Sequence, residues 1–265
     1  MKKFILAALC SLPCVVMAQQ SFTLNGEVKN LKAGDKIYLV YVDGGKRVID
    51  STQVANGAFT FKGNINEPSM ANVFKNINPF SPGADTRFLD YTSLYLEPGT
   101  ILASTVDSLK SAKISGTVTN DAQAKLTAAL KPYTDKMMVL NEEFTKLSPE
   151  QKKDEKSVGP IRDRAMTIGE EMIPIYIDFI KNNPTSFVSL NTLMQFVDDP
   201  SMATQVISLF EGLSSELKAT KLGAMLATKF EGEKKTAIGA MALDFTQNDQ
   251  NGKPIKLSDF KGKYV

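Results

Sequence analysis

Few side chains in this sequence have the type and spacing for chemistry. The two cysteines, Cys10 and Cys14, are the only thiols. A thiolate is the usual nucleophile and soft metal ligand. Both cysteines, however, fall within an apolar N-terminal run. Paired carboxylates occur at Glu142-Glu143, Glu170-Glu171 and Asp198-Asp199. Glycosidase chemistry needs two carboxylates facing each other across a cleft. Neighbours on a helix point about 100° apart, so these pairs read as solvated faces or caps. Asn248 to Asn251, followed by Gly252, has the acid- and amide-rich look of a calcium loop. Placing Gly252 at loop position 6 puts Gln247 first and Ser258 last, where an EF-hand needs Asp and Glu. A plain hairpin turn is the expectation.

Two further groups bear on binding. The 11 methionines include Met137, Met138, Met166, Met172, Met194 and Met225. Thioethers fill irregular core gaps, so a core role is expected, and an adaptable groove for an unfolded client is the alternative. Tyr38, Tyr41, Phe59 and Phe61 lie at strand spacing and are likewise expected in a core, with a binding face as the alternative.

Lys2 and Lys3 precede an apolar run from Phe4 to Val16, too short to span a membrane, and Val16-Met17-Ala18 fits a cleavage site. Residues 1–18 thus read as a signal peptide, with Gln19 first in the mature chain and periplasm or cell envelope as its compartment. Acylation of a cysteine is the rival. Leu9 and Pro13 precede Cys10 and Cys14, where lipid attachment favours Gly or Ala. Cleavage leaves 247 of the 265 residues and no cysteine. Without Lys2 and Lys3 the 31 basic residues fall to 29, equal to the 29 acidic ones. A neutral chain has no electrostatic case for nucleic acid or anionic membrane. No histidine is present, which removes the usual proton shuttle and metal ligand. The expectation is therefore no cofactor, no metal, no catalytic residue and no membrane insertion after cleavage.

Three regions follow the leader. Residues 19–118 read as an antiparallel β domain, a sandwich or open barrel. Lys36 to Val42 alternates and is rich in β-branched and aromatic residues. Asp43-Gly44-Gly45 and Asn56-Gly57 are hairpin turns, because such turns need positive φ. Arg47 to Val54 and Ala58 to Lys62 complete a meander, with Phe59 and Phe61 on one face. Ser93 to Glu97, Ile101 to Ser104 and Lys113 to Gly116 are further strands, and Asn76 to Asp85 is an exposed loop. Residues 119–235 switch to helical period. Leu126, Leu130, Tyr133, Met137, Leu140 and Phe144 form one stripe, which Pro132 kinks or splits. Ser148-Pro149-Glu150-Gln151 is a capped helix start, and Gln151 to Lys156 is exposed. Ile161 to Lys181 buries Ile173, Ile177 and Ile180, and helices follow at Thr185 to Phe196, Ser201 to Phe210 and Ser214 to Phe230. Residues 236–265 hold a strand at Ala242 to Thr246, a turn, a strand at Pro254 to Leu257, and a helical turn at Ser258 to Gly262.

Several phrases, in this order, resemble envelope oxidoreductases of the TlpA/ResA (AhpC/TSA, thioredoxin-fold) group that carry an N-terminal domain of unknown function. They are Phe22-Thr23-Leu24-Asn25-Gly26, Asn56-Gly57-Ala58-Phe59, Leu94-Tyr95-Leu96-Glu97-Pro98-Gly99 and Ile114-Ser115-Gly116, then Phe179 to Pro184 with Ser189-Leu190. The sharpest are Ile238-Gly239, Asp244-Phe245-Thr246, Asn251-Gly252-Lys253, Leu257 to Phe260 and Lys261-Gly262-Lys263. The resemblance implies that residues 236–265 begin a truncated thioredoxin-like α/β domain. It also implies that the group's W-C-x-x-C and cis-proline lie past Val265, and that this chain is inert in thiol-disulfide exchange. The expected class is α+β in several parts. The expected function is the non-catalytic N-terminal region of a periplasmic thiol-disulfide oxidoreductase, positioning the redox domain, self-associating or recognising clients. The rival is an envelope binding protein without redox activity, its β module gripping a peptide or glycan. Expected partners are protein clients, a redox partner or a second copy.

Overall fold

The computed structural model describes residues 20–236 and 242–263. The leader expected over residues 1–18, with Cys10 and Cys14, lies outside them, as do Tyr264 and Val265. The chain is an α+β fold in two compact units, dividing at Met172 and Ile173.

In the first unit, alternating apolar residues make two four-stranded sheets. Sheet 1 has the order β4-β1-β7-β8, from β1 (Gln20–Val28), β4 (Ala58–Ile65), β7 (Gly99–Thr105) and β8 (Lys113–Ser115). Sheet 2 has the order β3-β2-β5-β6, from β2 (Lys36–Asp43), β3 (Lys46–Gln53), β5 (Ser69–Lys75) and β6 (Tyr91–Leu96). Every second residue faces one side of a strand. Phe22, Leu24, Phe59, Phe61 and Ile101 from sheet 1 join Ile37, Leu39, Val73, Leu94 and Leu96 from sheet 2 in one buried cluster. The module is a β-sandwich.

The expected hairpin is present: Ile37 pairs with Thr52 and Val42 with Arg47. The meander is not. Asn56 and Gly57, both at positive φ, carry the chain out of sheet 2, and β4 pairs antiparallel with β1 in sheet 1. The free side of β2 is taken by β5, a strand the pattern did not reveal. The sandwich is not wholly antiparallel either, since β1 and β7 run parallel, Leu24 beside Ile101. Two phenylalanines lock β1 to β4. Phe59 lies opposite Gly26, and Phe22 opposite Gly63. A Cβ on Gly26 would stand 2.0 Å from Phe59 Cζ. Each glycine leaves the room its partner's ring fills.

Helix α1 (Val118–Lys146) is continuous through Pro132, neither split nor ended there. Pro132 is exposed, so water can take the carbonyl its ring leaves unbonded. Leu126, Leu130 and Leu140 are buried as expected, but Met137 and Phe144 are exposed, because α1 has cover on a narrower arc than its apolar stripe. Ser148 and Gln151 exchange the two bonds of a capping box, Gln151 N–H to Ser148 Oγ at 3.2 Å and Ser148 N–H to Gln151 Oε1 at 2.9 Å. That box starts only a 3₁₀ turn, Gln151–Lys153. The long helix α2 (Glu155–Asn182) begins one residue after Asp154, whose Oδ2 accepts from Ser157 N–H. The first compact unit continues past the change of period to Met172.

The second unit takes the end of α2 with α3 (Phe187–Leu193), α4 (Ala203–Glu211), α5 (Ser215–Ala219) and α6 (Lys221–Thr236). Ile177, Ile180, Leu190, Leu193, Val206, Leu226 and Phe230 share its core. The single helix expected over Ser214 to Phe230 is two. Thr220 has extended backbone, and its Oγ1 both donates to Leu217 O and accepts from Gly223 N–H. It thereby ends α5 and caps α6. Beyond the undescribed stretch 237–241 lies a hairpin of β9 (Thr246–Asn248) and β10 (Pro254–Lys256), then a 3₁₀ turn at Leu257–Phe260. The first strand is shorter and later than Ala242 to Thr246.

Candidate functional site

The structure places Glu143, Glu171, Asp198 and Asp199 in structural roles, while Glu142 and Glu170 are exposed. Glu143 bonds Arg164, and Glu171 pairs with Lys136 at 3.3 Å. Asp198 pairs with Lys229 at 3.1 Å, and Asp199 accepts from Ser201 N–H at 2.9 Å. In the Asn248 to Gly252 turn, Asp249 Oδ1 accepts from Asn251 N–H and Lys253 N–H, at 2.8 and 2.9 Å. The carboxylate that a cation would need is already closing the hairpin. Among the described residues no group of three or more acidic, His or Cys side chains could hold a metal ion.

Phe59 and Phe61 are core, and Tyr41 packs edge-on against Phe22. Tyr38 is instead on the outer face of sheet 2, half-buried, with the Lys36 ammonium 5.1 Å from its ring centre. The methionines overturn their expected role. Met137, Met138, Met166, Met194 and Met225 are all exposed, and Met172 is half-buried. A thioether suits an irregular core gap, but nothing in the structure covers most of these side chains.

The most highly organised polar cluster joins β6 to the start of α1. Glu97, just past β6, is buried; its two carboxylate oxygens accept from Thr119 N–H at 2.7 Å and Thr119 Oγ1–H at 2.6 Å. Thr117 is the N-cap residue but makes no side-chain cap bond. The carboxylate of Glu97 supplies that cap from another element, where the helix dipole favours a negative charge. Asn120, 2 % exposed, bonds Tyr95 N–H and Tyr95 O, and donates to Thr117 Oγ1 at 2.8 Å. This cluster anchors; its donors and acceptors are matched. Residue type alone could not reveal it, because partners 22 and 25 positions apart carry no periodic signal.

Grooves among the described residues are the other candidates. One of about 740 Å³ lies at one end of sheet 1, beside Glu27, Lys29, Asn56, Ser104, Thr105 and Val106. One of about 600 Å³ in the second unit is lined by Asp198, Pro200, Ala203, Ile207, Lys229 and Lys234. A third, of about 480 Å³, runs between α1 and α2 over Val139, Leu140, Thr167 and Ile168. General acid–base work wants a group tuned toward neutral pH. Here the resolved shifts run the other way. Hydrogen bonds from Arg164, Ser201 and Lys234 lower Glu143, Asp199 and Glu211, bonds to Asp198 and Glu233 raise Lys229, and burial raises Tyr41 and Tyr176. The grooves offer shape and apolar surface for reversible binding.

No helix among the described residues is long and apolar enough to cross a membrane. None of the curated proteins matches the chain. A solved structure described as "Trapped Toxin" aligns at 15% identity over 38% of this chain and 24% of that one, with a TM-score of 0.18. So low a score carries no argument. The β module, by contrast, matches a family: residues 22–123 fit the model of a domain of unknown function, DUF4369.

Proposed function

We propose that this chain is the non-catalytic, partner-binding region of a periplasmic thioredoxin-like thiol-disulfide oxidoreductase, positioning the redox domain and recognising its clients. One observation supports this most. The phrases from Asp244 to Lys263 that resemble the start of a thioredoxin-like domain fold as strand, turn, strand and helical turn. Asp244 accepts from both Ser258 N–H and Ser258 Oγ–H, at 2.8 and 2.9 Å. Leu243 and Phe245 stay exposed on it, as side chains awaiting a larger sheet would be. The DUF4369 match over residues 22–123 is compatible with such a parent. The test is the coding sequence after codon 265. An in-frame W-C-x-x-C within a short distance supports the reading; a stop codon there overturns it.

The second reading, an envelope binding protein without redox chemistry, draws on the groove at Asn56 and Thr105. A stop codon after residue 265 would favour it.

A further inference from the structure

Three asparagines precede a glycine: Asn25-Gly26, Asn56-Gly57 and Asn251-Gly252. The pair is reactive because glycine has no Cβ to shield its nitrogen from the asparagine side chain. In mild alkali the glycine N–H gives its proton to hydroxide, and the nitrogen attacks asparagine Cγ. An N–Cγ bond forms and the Cγ–Nδ2 bond breaks. Nδ2 takes a proton from water, restoring hydroxide, and leaves as ammonia. Water then opens the cyclic imide. Attack at Cγ gives aspartate, and attack at the main-chain carbonyl gives isoaspartate. The ring closes only where the backbone is free to turn, so the rate follows the fraction of time the site is open.

The three sites differ in what must open. Asn25 and Gly26 lie inside sheet 1, with β1 paired to β4 on one side and β7 on the other. Gly26 is buried against the Phe59 ring, so this site opens only with the sandwich. Asn56 and Gly57 form a tight turn on the same core. Ala55 and Ala58 exchange two N–H to O bonds of 3.0 Å, and Gly57 O accepts from Val28 N–H at 3.0 Å. Val54 and Phe59, on either side of the turn, are buried. Asn251 and Gly252 are exposed. Gly252 N–H donates to Asp249 O at 2.9 Å, and Asp249 Oδ1 holds the Asn251 and Lys253 amides. The strands this turn joins, β9 and β10, are three residues each, and of their side chains only that of Ile255 is half-buried. A hairpin so small opens readily.

We infer that Asn251 is a site of spontaneous modification, where ring closure onto Gly252 N releases ammonia and leaves aspartate or isoaspartate in the hairpin turn. The product puts a second carboxylate two residues from Asp249, and like charges so close repel. Isoaspartate also lengthens the main-chain path by one carbon, which misaligns Asp249 with Lys253. The reaction therefore loosens the hairpin that permitted it. None of this depends on a redox domain.

The experiment holds the purified chain in mildly alkaline buffer for days and follows all three sites by peptide mass spectrometry, with fragmentation that separates isoaspartate from aspartate. The expected result is conversion at Asn251 at least about tenfold faster than at Asn56, with Asn25 slowest, in the order of local opening. Asp249→Ala removes the bonds to the Asn251 and Lys253 amides. It should speed conversion at Asn251 at least about threefold, since each exposed bond adds modestly to closure, and leave Asn25 and Asn56 unchanged. Conversion at Asn56 or Asn25 as fast as at Asn251 overturns the inference, as does an Asn251 that stays intact. So does a rate at Asn251 indifferent to Asp249→Ala, since the hairpin would then not be what governs it. None of these outcomes bears on a W-C-x-x-C beyond residue 265, so the two readings fail separately.

Discussion

Asn120 closes the outer edge of β6 by pairing its carboxamide with both backbone groups of Tyr95. Tyr95 N–H donates to Asn120 Oδ1 at 2.9 Å, and Asn120 Nδ2–H donates to Tyr95 O at 2.8 Å. β6 is the last strand of sheet 2, and an unpaired edge invites association with other chains. One side chain from α1 does what another strand would do there, and fixes the helix to the sandwich in the same act. Asn120→Ala should cost about 2–4 kcal/mol, since two buried backbone groups lose their partners. Asn120→Asp should cost at least as much, because a carboxylate has no proton for Tyr95 O. Urea unfolding at unchanged slope measures both. A loss below about 1 kcal/mol would show that water replaces the carboxamide.

Gly26 and Phe59 should be strongly coupled. The ring of Phe59 occupies the volume a Cβ at Gly26 would need. Gly26→Ala should therefore destabilise by about 3 kcal/mol, at the upper end for overpacking. Combining it with Phe59→Leu should cost less than the sum of the two single changes, with a coupling of about 1 kcal/mol or more in a double-mutant cycle. Strict additivity would mean that the ring turns aside freely and that the fit is incidental.

The legible parts of this fold are those where pattern is local. The Lys36–Val42 hairpin shows itself because β-branched and aromatic residues alternate up to Gly44-Gly45. β5 hides because Met70 and Phe74 are apolar on its outer face while Ser69 and Lys75 are polar on its inner one, which blurs the alternation of Ala71 and Val73 that points inward. Phe59 and Phe61 reveal their face but not their neighbour. Alternation gives the side of a strand and is silent on which strand lies beside it, so β4 looks like the continuation of a meander when it belongs with β1. Met137, Met138 and Met166 mislead for a different reason: a thioether is suited to a core gap whether or not the fold covers it. The anchoring cluster of Glu97, Thr119 and Asn120 is the least legible, since these types serve equally as surface residues and only the tertiary fold brings them together.

Asp35 should make stability depend on acid pH. Its carboxylate accepts from Asn76 Nδ2–H and Lys32 N–H, both at 2.9 Å, with Lys75 Nζ at 3.4 Å. The Asn76 bond first, then the Lys32 amide, hold it below the usual carboxylate value. A group with a lowered folded pKa contributes stability above its unfolded value, about 3.9 for Asp, and loses it as pH falls through the folded one. Asp35→Asn should thus lower the urea midpoint at pH 7, and its gap from wild type should narrow as pH falls below about 3.9 and through the lowered folded pKa. A gap that is constant from pH 7 to pH 2.5 would show that the carboxylate's charge contributes nothing.

The hairpin of β9 and β10 should be the most readily opened part of the described chain. Its strands are three residues each, and an isolated two-stranded hairpin is marginal in water. Asp249 closes the turn and Asp244 ties Ser258 back, but these bonds are exposed to solvent. Leu243 and Phe245 bury little of their surface, so the apolar contribution that secures β2 is missing. Native-state hydrogen exchange should find the amides from Thr246 to Lys256 opening at least a hundredfold faster than those of Leu39 and Val40, which is about 2.7 kcal/mol of local stability. Phe245→Ser should then leave the global unfolding midpoint unchanged, because the side chain it removes supports no core. Protection equal to that of β2 would sink the prediction. It would mean that Leu243 and Phe245 are covered in solution, and the exchange rates would then have to depend on protein concentration or on an added partner.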